Sequence, residues 1–438
     1  MRFFIPALAL ITAALSAPVS AAPTSRESPD PARLRASVAA LVGFGTRHTL
    51  SAPDDPKRGI GAARRWAGTE LTRISDSCGG CITVANIGRG FTGERAPDGV
   101  QVVDVLGFQN GRDPKRMVIV MGHIDSRVSD VMDAVSDAPG ANDDASGVAL
   151  VLESARILSK ERFDASILYA ITSGEEQGLW GATLLADTAK EKGWDVVAVL
   201  NNDIVGNTVG QNGVKVDDRV RVFSEGIRAS EDLPQQMARR ADGGEDDGPS
   251  RALAKAVDHI ADTLPRGLDV TMIRRPDRFG RGGDHSPFLA LGYPAVRFSV
   301  GAENYDQQHQ DLRTENGTEY GDTIDKMDFP YLAKVTAINV ATIARLAAAP
   351  PAPVEVTLKG ALDTDTTVSW KPVAGAGGYR IYWRPTDQSD WTNHVDVAAD
   401  ATSHVLKDVV VDNHFAGVAA LSSSGAESLV TFGGRERR

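Results

Sequence analysis

The feature that most constrains the fold of this chain is a regular alternation of apolar runs with helix-like segments between residues 37 and 348. Such alternation is typical of an α/β sheet whose faces are covered by helices. We therefore predict an α/β fold with a mixed, mostly parallel sheet. The predicted strands are 102–108, 117–121, 166–172, 196–201 and 294–300, and the predicted helices include 145–159, 250–263 and 331–348.

The character of the sequence changes at the segment AAAPPAP, residues 347–353. Residues 349–353 are predicted to be a stiff Pro/Ala linker between a main domain at 30–348 and a smaller domain at 354–438. Beyond the linker, short alternating segments such as VEVTLKG and GYRIYWRP are separated by Gly, Pro, Asp and Ser, a pattern typical of a β-sandwich. Within the main domain, residues 231–250 are rich in Asp, Glu, Gly and Pro and are predicted to form an exposed loop.

The N-terminal residues 1–21 have the pattern of a secretory signal peptide. An Arg is followed by an apolar run and then by small residues, with Val19 and Ala21 at the positions that signal peptidase reads. The run is shorter than the roughly 20 apolar residues of a membrane span, and no other stretch reaches that length. We expect a soluble exported protein, periplasmic or extracellular, without a membrane span. Export favours a disulfide between the only two cysteines, Cys78 and Cys81, over a redox or metal motif.

The net charge limits the possible partners of the chain. The formal net charge is −11 at pH 7. Nucleic-acid binding depends on clustered Lys and Arg that displace counterions from phosphates. We therefore predict no nucleic-acid partner. The sequence indicates no particular partner for the C-terminal domain.

Acidic and imidazole side chains follow several of the predicted strands. His123 and Asp125 come after 117–121, Glu175 and Glu176 come after 166–172, and Asp203 comes after 196–201. The carboxyl ends of the strands in an open α/β sheet border the crevice in which ligands bind. The sequence therefore predicts that these side chains meet at one edge of the sheet.

Two adjacent carboxylates, Asp143 and Asp144, precede the predicted helix at 145–159. Asp144 alone could simply cap that helix, and a lone acidic residue or histidine after a strand is commonly a turn or loop residue. Gathering all these carboxylates around a histidine without a compensating Lys or Arg would be strongly repulsive, so a divalent cation is the expected counter-charge. Mixed imidazole and carboxylate ligands favour zinc. An HExxH helix, the usual sign of a single-zinc peptidase, does not occur in the sequence.

The motifs GHIDS, GANDDASG, SGEEQGLWG and NND together resemble those of the exopeptidases with two co-catalytic zinc ions. That family includes secreted bacterial leucyl aminopeptidases, aminopeptidase Y and glutamate carboxypeptidase, and the resemblance covers residues 102–346. It implies two divalent metal ions, expected to be Zn²⁺, with Asp143 bridging them. It also implies His123 and Asp203 as further ligands of one ion, and Glu176 and His309 as further ligands of the other.

The same resemblance implies roles for residues that do not bind metal. Glu175 would be the general base acting on a metal-bridged water, and Asp125 would orient His123 by accepting its second ring proton. The family also tends to have a cis peptide at the position of Asp143 and Asp144. Asp284 and His285, in GGDHSPF, would support the substrate pocket.

His309 departs from the family pattern, because YDQQHQD stands where YHTxxDT is commoner. Its distance from the last predicted helix, and the Gly-Asp-Thr that follows it, favour it over His285 as the ligand. Gln308 stands where some relatives have a Tyr, so the donor to the oxyanion is not assigned. The arginines at 274, 275, 278 and 281 could hold a substrate carboxylate, but we interpret them as a solvated loop.

The function implied by the resemblance is hydrolysis of the N-terminal peptide bond of peptides with a free N-terminus. A carboxypeptidase or dipeptidase on the same scaffold, a single-zinc cyclase and a catalytically silent receptor-like binding protein are the alternatives. A serine hydrolase is not indicated, because no GxSxG elbow follows a predicted strand. The C-terminal domain resembles a fibronectin type III domain in its Trp370 and in the strand 379–383.

Overall fold

The computed structural model of the protein describes residues 27–436. The predicted signal peptide, residues 1–21, lies outside the described residues. Among the described residues, no helix combines the length and the apolar character that crossing a bilayer requires.

The main domain is built on an eight-stranded mixed sheet with the strand order β1-β2-β4-β3-β5-β8-β6-β7. The pairs β3–β4, β3–β5, β5–β8 and β6–β7 are parallel, and the others are antiparallel. This confirms the predicted α/β class with a mostly parallel sheet. The strands are β1 (Ile82–Gly93), β2 (Ala96–Gln109), β3 (Asp113–His123), β4 (Ala165–Thr172), β5 (Asp195–Asn202), β6 (Arg219–Phe223), β7 (Asp269–Ile273) and β8 (Ala295–Val300).

Helices cover both faces of this sheet. All five predicted strands and all three predicted helices are present, whereas β1, β6 and β7 were not predicted, because their polar faces obscure the apolar runs. The helices are α1 (Pro31–Val42), α2 (Gly59–Ser77), α3 (Ala145–Leu158), α4 (Glu175–Gly178), α5 (Trp180–Glu191), α6 (Leu233–Asp242), α7 (Pro249–Asp262), α8 (Ser286–Ala290) and α9 (Phe329–Ala348).

The central strands alternate between two apolar cores. On β3, Val118 and Val120 point into the larger core with α1, α3 and α9, whereas Ile119 and Met121 point into the smaller core with α5 and α8. Strands buried on both faces read as continuous apolar runs. This is why the runs at 117–121 and 166–172 are so clear in the sequence. Each run ends at or just before the end of its strand.

The segment 231–250 is not the exposed loop that its composition indicated. It contains α6, which begins at the capping residue Asp232, with a reciprocal bond between Asp232 and Gln235, and ends at Gly243 in the left-handed conformation. The acidic residues that suggested a solvated loop are instead used in ion pairs. Glu231 pairs with Arg239, and Asp246 pairs with Arg251. Local capping and these nearby ion pairs outweigh the average composition.

The C-terminal residues form two four-stranded sheets, with the orders β15-β12-β11-β18 and β14-β13-β16-β17. Their apolar core includes Trp370 and Tyr379. The resemblance to a fibronectin type III domain stays a prediction. The strands are β11 (Thr357–Lys359), β12 (Thr366–Ser369), β13 (Gly378–Pro385), β14 (Asn393–Ala398), β15 (Ser403–Leu406), β16 (His414–Leu421), β17 (Thr431–Phe432) and β18 (Gly434–Arg435), and a separate short hairpin in the main domain pairs β9 (Arg313–Glu315) with β10 (Thr318–Tyr320).

Paired buried charges join the C-terminal sheets to the main domain. Arg384 of β13 pairs with Asp247, and their side chains are 1% and 3% exposed. Asp247 also accepts a bond from Lys255 at 2.8 Å. Glu427 of the C-terminal domain binds Arg345 of α9 at 2.8 Å. The two parts of the chain are therefore held together by specific contacts.

Candidate metal centre and cleft

The carboxyl ends of adjacent parallel strands deliver the predicted site residues to one edge of the sheet. His123 is the last residue of β3, and Asp203 directly follows β5. β4 ends at Thr172, and the chain then enters α4, whose first two residues are Glu175 and Glu176. The order β4-β3-β5 places these ends side by side. The sheet edge predicted from the sequence therefore carries the candidate site.

One group of potential metal ligands consists of His123, Asp143 and Asp203, all buried. The Nε2 atom of His123 lies 3.2 Å from Oδ1 of Asp143 and 3.9 Å from Oδ1 of Asp203. Imidazole nitrogen and carboxylate oxygen are the ligand types that zinc takes in catalytic sites.

A second group consists of Asp143, Glu176 and His309. The Nε2 atom of His309 lies 2.9 Å from Oδ2 of Asp143 and 2.9 Å from Oε1 of Glu176. Asp143 thus faces the first group with one carboxylate oxygen and the second group with the other. His309, the ligand whose surroundings departed from the family pattern, lies in the cluster.

Unpartnered buried atoms show that these groups suit a cation. His123 Nε2 and Glu176 Oε1 are both buried and, within the described part of the chain, neither forms a hydrogen bond of good geometry, although Asp143 lies 3.2 Å from the first and His309 2.9 Å from the second. A buried polar atom without a partner costs roughly 1–3 kcal/mol. The two atoms belong to different ligand groups, and a divalent cation in each group would satisfy them. The donor set therefore fits zinc.

The two adjacent aspartates have different surroundings. Asp144 caps α3 by accepting a bond from Gly147 N at 2.8 Å, and it also accepts from His123 N at 3.1 Å. Asp143 instead turns towards the histidines, and the peptide bond between the two residues is cis. The capping interpretation therefore holds for Asp144, and Asp143 is the residue available to a metal.

Asp322 fixes the backbone that carries Asp143. Its carboxylate accepts from the backbone N–H of Asn142 at 2.9 Å and of Asp143 at 2.7 Å. Burial raises the pKa of Asp322 to about 7, against the lowering effect of these two bonds. We did not predict this role, although the Gly-Asp-Thr after His309 was a usable signal.

Asp125 contacts His123 through its backbone carbonyl group more closely than through its carboxylate, which was the group expected to accept the ring proton. The Nδ1 atom of His123 lies 3.1 Å from the backbone carbonyl oxygen of Asp125 and 3.6 Å from its carboxylate Oδ1. The carboxylate is engaged elsewhere, because it accepts from Thr49 Oγ1 at 3.0 Å and from the N–H of Glu176 at 3.1 Å and of Glu175 at 3.3 Å. Asp125 therefore orients His123 mainly through its carbonyl group and fixes the start of α4 through its carboxylate.

The expectation that no Lys or Arg compensates the carboxylates was wrong. Arg127 donates to Glu176 Oε2 at 2.8 Å and lies 2.6 Å from His309 Nδ1. The buried Arg297 lies 2.9 Å from Asp203 Oδ1. Neither arginine belongs to the motifs that carry the acidic residues, so only the folded chain brings them together. The orphaned ligand atoms remain even with both arginines in place.

The acidic neighbours shift the pKa values in the site. Burial lowers the pKa of His309, but Glu176 and Asp143 outweigh it and raise the value to about 10. Burial raises the pKa of Glu175 well above its usual range, and the charges of Glu176 and Asp203 act in the same direction. The carboxylate of Glu175 is therefore more basic than that of an exposed glutamate.

Asp284 and His285 are buried beneath the cleft and belong to neither ligand group. Asp284 accepts from Thr172 Oγ1 at 2.6 Å, and burial raises its pKa to about 7. His285 Nε2 lies 2.6 Å from the carbonyl oxygen of Pro276. Both residues contact the elements that carry the site, at the end of β4 and in the loop before α8.

A cleft of about 500 Å³ opens over the two ligand groups, and Glu175 and Gln308 line it. Gln308 donates to Asp143 Oδ2 at 3.0 Å. Two of the arginines interpreted as a solvated loop, Arg278 and Arg281, also line this cleft. The interpretation was wrong for Arg278, whose side chain is 9% exposed, whereas Arg281 is solvent-exposed. Arg274 and Arg275 are exposed and lie outside the cleft lining.

One further side chain that we did not predict supports the site. Arg47 is fully buried and donates to the carbonyl oxygens of Ile124 at 2.7 Å, Pro139 at 2.6 Å and Gly140 at 2.9 Å. It ties the loop after β3 to the loop that precedes Asp143. Its sequence context, TRH, gave no signal of this role. At the far end of the domain, Cys78 and Cys81 form the expected disulfide.

The fold and the site together define a zinc metallopeptidase, and comparisons with known proteins agree. The profile described as peptidase family M28 matches residues 104–343. A probable zinc metalloprotease of Leptosphaeria maculans is 42% identical over 400 residues, which cover 90% of this chain and 92% of that protein. One of Pyricularia oryzae is 42% identical over 414 residues, covering 92% of this chain and 82% of that protein.

A solved structure has a similar fold. The LapA aminopeptidase of Legionella pneumophila superposes with a TM-score of 0.51 at 18% identity, and the match covers 73% of this chain and 72% of that one. The chain belongs to peptidase family M28, and zinc is its metal.

Proposed function

We propose that this protein is an aminopeptidase that hydrolyses the N-terminal peptide bond of peptides with the help of two zinc ions. The observation that carries the proposal is the position of Asp143. Its two carboxylate oxygens face two ligand groups, one with His123 and one with His309. A shared carboxylate between two such groups is what a pair of co-catalytic ions requires.

In this proposal, His123, Asp143 and Asp203 hold one ion, and Asp143, Glu176 and His309 hold the other. Bound zinc lowers the pKa of water and polarises a carbonyl group. The chain itself supplies the geometry. Asp322 fixes the backbone of Asp143, and Asp125 fixes the start of the helix that carries Glu176.

Glu175 is the proposed general base. It lines the cleft beside the ligands and belongs to neither ligand group. Its raised pKa favours accepting a proton from the attacking water and then passing that proton to the leaving amine. The N–H of Glu175, donated to Asp125, holds the residue at the first position of α4.

The N-terminal direction of cleavage is supported by the resemblance of the motifs to secreted leucyl aminopeptidases and by the similarity to an aminopeptidase in fold. A carboxypeptidase or dipeptidase is the second candidate, and the arginines that line the cleft favour it. The two ligand groups argue against a single-zinc cyclase. The presence of Glu175, a possible general base, beside the two ligand groups argues against a catalytically silent receptor.

The proposal includes export to the periplasm or the medium. It is supported by the signal-like sequence at residues 1–21 and by the Cys78–Cys81 disulfide, because disulfides persist in oxidising compartments. The N-terminal sequence of protein recovered outside the cytoplasm tests it. A chain that keeps residues 1–21 and stays in the cytoplasm would contradict it.

One set of assays tests the activity. Purified protein is incubated with aminoacyl reporter substrates, their N-acetylated counterparts and N-blocked peptides with a free C-terminus, before and after chelation and zinc return. We expect cleavage only with a free α-amine, loss of activity on chelation and recovery with zinc. Release of C-terminal residues from the N-blocked peptides would favour the second candidate. Activity that chelators do not change would overturn the mechanism.

The variant Glu175→Gln tests the base. We expect kcat to fall roughly 100- to 10,000-fold, the range for removal of a general acid or base, while two zinc ions per chain are retained. Glu191→Gln, at the exposed end of α5, is the matched control and should leave kcat unchanged. Loss of zinc in Glu175→Gln would assign the residue to the ligands instead.

A further inference from the structure

Four arginines line the cleft above the proposed metal centre: Arg95, Arg127, Arg278 and Arg281. They come from three parts of the chain. Arg95 lies in the turn between β1 and β2, Arg127 follows β3, and the other two precede α8. Convergence of cations from distant segments on one cleft requires either acidic partners in the protein or an anionic ligand.

The acidic partners near Arg278 and Arg281 are too few for the cations around them. Glu303 is shared by three arginines: it lies 2.8 Å from Arg221, 3.4 Å from Arg278 and 3.1 Å from Arg281. Asp277 also pairs with Arg278, but it shares its Oδ1 atom with the buried Arg297. Positive charge is therefore in excess along this wall of the cleft.

The carboxylates of the metal centre do not remove this excess when the centre is loaded. The three carboxylate ligands, Asp143, Glu176 and Asp203, would carry three negative charges against the four positive charges of two divalent cations. Arg127, which lies against Glu176 and His309, then adds to the positive charge on the substrate side. This step rests on the proposed function, because it requires two ions.

Arg95 and Arg281 are the two cleft arginines whose guanidinium groups are accessible to a ligand. Arg95 is exposed, and one of its nitrogens donates to the carbonyl oxygen of Glu176 at 2.5 Å. The side chain of Arg281 is 33% exposed, against 9% for Arg278. A guanidinium group has five N–H donors in a planar fork that matches a carboxylate. Both residues can therefore donate to a carboxylate that enters the cleft.

We infer that the cleft selects peptides with a carboxylate close to the scissile bond, and that Arg95 and Arg281 determine this specificity. The carboxylate can come from two sources. It is either the C-terminal carboxylate of a dipeptide or the side chain of an Asp or Glu that flanks the scissile bond. Both sources present the same planar anion to the guanidinium groups.

Three pairs of substrates distinguish the sources. Leu-Ala is compared with Leu-Ala-amide for the terminal carboxylate. Leu-Glu-amide is compared with Leu-Gln-amide for an acidic residue after the bond, and Glu-Ala-amide with Gln-Ala-amide for one before it. We expect kcat/KM to be at least about tenfold higher for the charged member of at least one pair, as a charge-assisted hydrogen bond would give. High salt should reduce that preference.

The variants Arg95→Gln and Arg281→Gln should each reduce the preference. In the double variant, the ratio of kcat/KM between the charged and the uncharged substrate should be about threefold or less, because both arginines contribute to it. The matched control is Arg275→Gln. Arg275 lies on the same loop as Arg281, is exposed and packs over the exposed ring of Phe279, so its variant should keep the full preference.

The outcomes separate this inference from the proposed function. Cleavage of the uncharged amides without any preference within the three pairs would overturn the inference and leave the aminopeptidase intact. A preference that survives in the double variant would overturn the assignment to these arginines. No cleavage of any of the six substrates by the zinc-loaded enzyme would overturn the proposed function itself.

Discussion

The metal centre and the interface between the domains both bury several charged side chains, but they partner them differently. At the interface, Asp247 is matched by Arg384 and Lys255. At the metal centre, carboxylates and imidazoles instead gather on one another, in two groups that share Asp143. Such a cluster is costly to bury unless a ligand provides the missing interaction. The comparison teaches that a cluster of potential metal ligands marks the functional site, whereas an acidic side chain matched by basic ones marks the structural contact.

The largest expected effect comes from Asp143→Ala, which removes the carboxylate shared by both ligand groups. Several kcal/mol of transition-state stabilisation are lost with the metal, so kcat/KM should fall at least about 1,000-fold. Bound zinc, measured by elemental analysis, should fall in parallel, and added zinc should not restore activity. A variant that keeps two ions and more than a tenth of the activity would break the comparison, because the centre would then not depend on its shared ligand.

The next largest effect is expected for Arg384→Met at the interface. Removing one partner of a buried pair costs about 3 kcal/mol, so the free energy of unfolding should fall by about that amount while kcat of the folded protein is unchanged. Denaturant unfolding measures the change. The matched control is Arg435→Gln. Arg435 crosses the same interface to Asp242 but is 71% exposed, and its loss should cost at most about 1 kcal/mol. Equal effects of the two variants on the free energy of unfolding would show that burial does not determine how much each ion pair contributes to it.

A smaller effect is expected for Asp125→Asn, which tests the support of the metal centre. The variant keeps the backbone carbonyl group that faces His123, but an NH2 group replaces one of the two carboxylate oxygens and cannot accept a hydrogen bond from Thr49, Glu175 or Glu176. Loss of such support costs about 10- to 100-fold in metal affinity or activity. Zinc titration measures the affinity. An unchanged affinity would mean that only the carbonyl group of Asp125 matters to the centre.

The smallest effect concerns Asp258 near the interface, where pairing is incomplete. Burial, followed by repulsion from Asp262 and Asp390, raises the pKa of Asp258 to about 6. A carboxyl group whose pKa is higher in the folded state loses its stabilising contribution as pH rises from about 4 to about 6. Asp258→Asn should therefore raise the unfolding free energy at pH 7 by up to about 1 kcal/mol and change nothing near pH 3. Thermal unfolding at the two pH values checks this, and a lower stability at pH 7 would contradict it.

Much of the fold was predictable from the sequence. Strands buried on both faces, such as β3 and β4, read as apolar runs because the side chains of 117–121 and 167–171 enter a core. The segment 231–250, which contains α6, was not predictable from its composition, since Asp242 and Asp247 find their partners Arg435 and Arg384 only in the fold. Strands β6 and β7, short and near one edge of the sheet, gave no clear pattern either.

By itself, the sequence determined which residues stand near the strand ends, because His123, Glu176 and Asp203 each come shortly after an apolar run. The resemblance of the motifs implied Asp143 rather than Asp144 as the shared ligand, and the tertiary structure places Asp143 against the histidines. Only the tertiary structure decided that Arg127, Arg281 and Arg297 approach the site. The physical reason is the range of the interactions. The end of a strand is set by local periodicity, whereas the direction of a side chain and the meeting of distant charges depend on how loops from separate parts of the chain pack together.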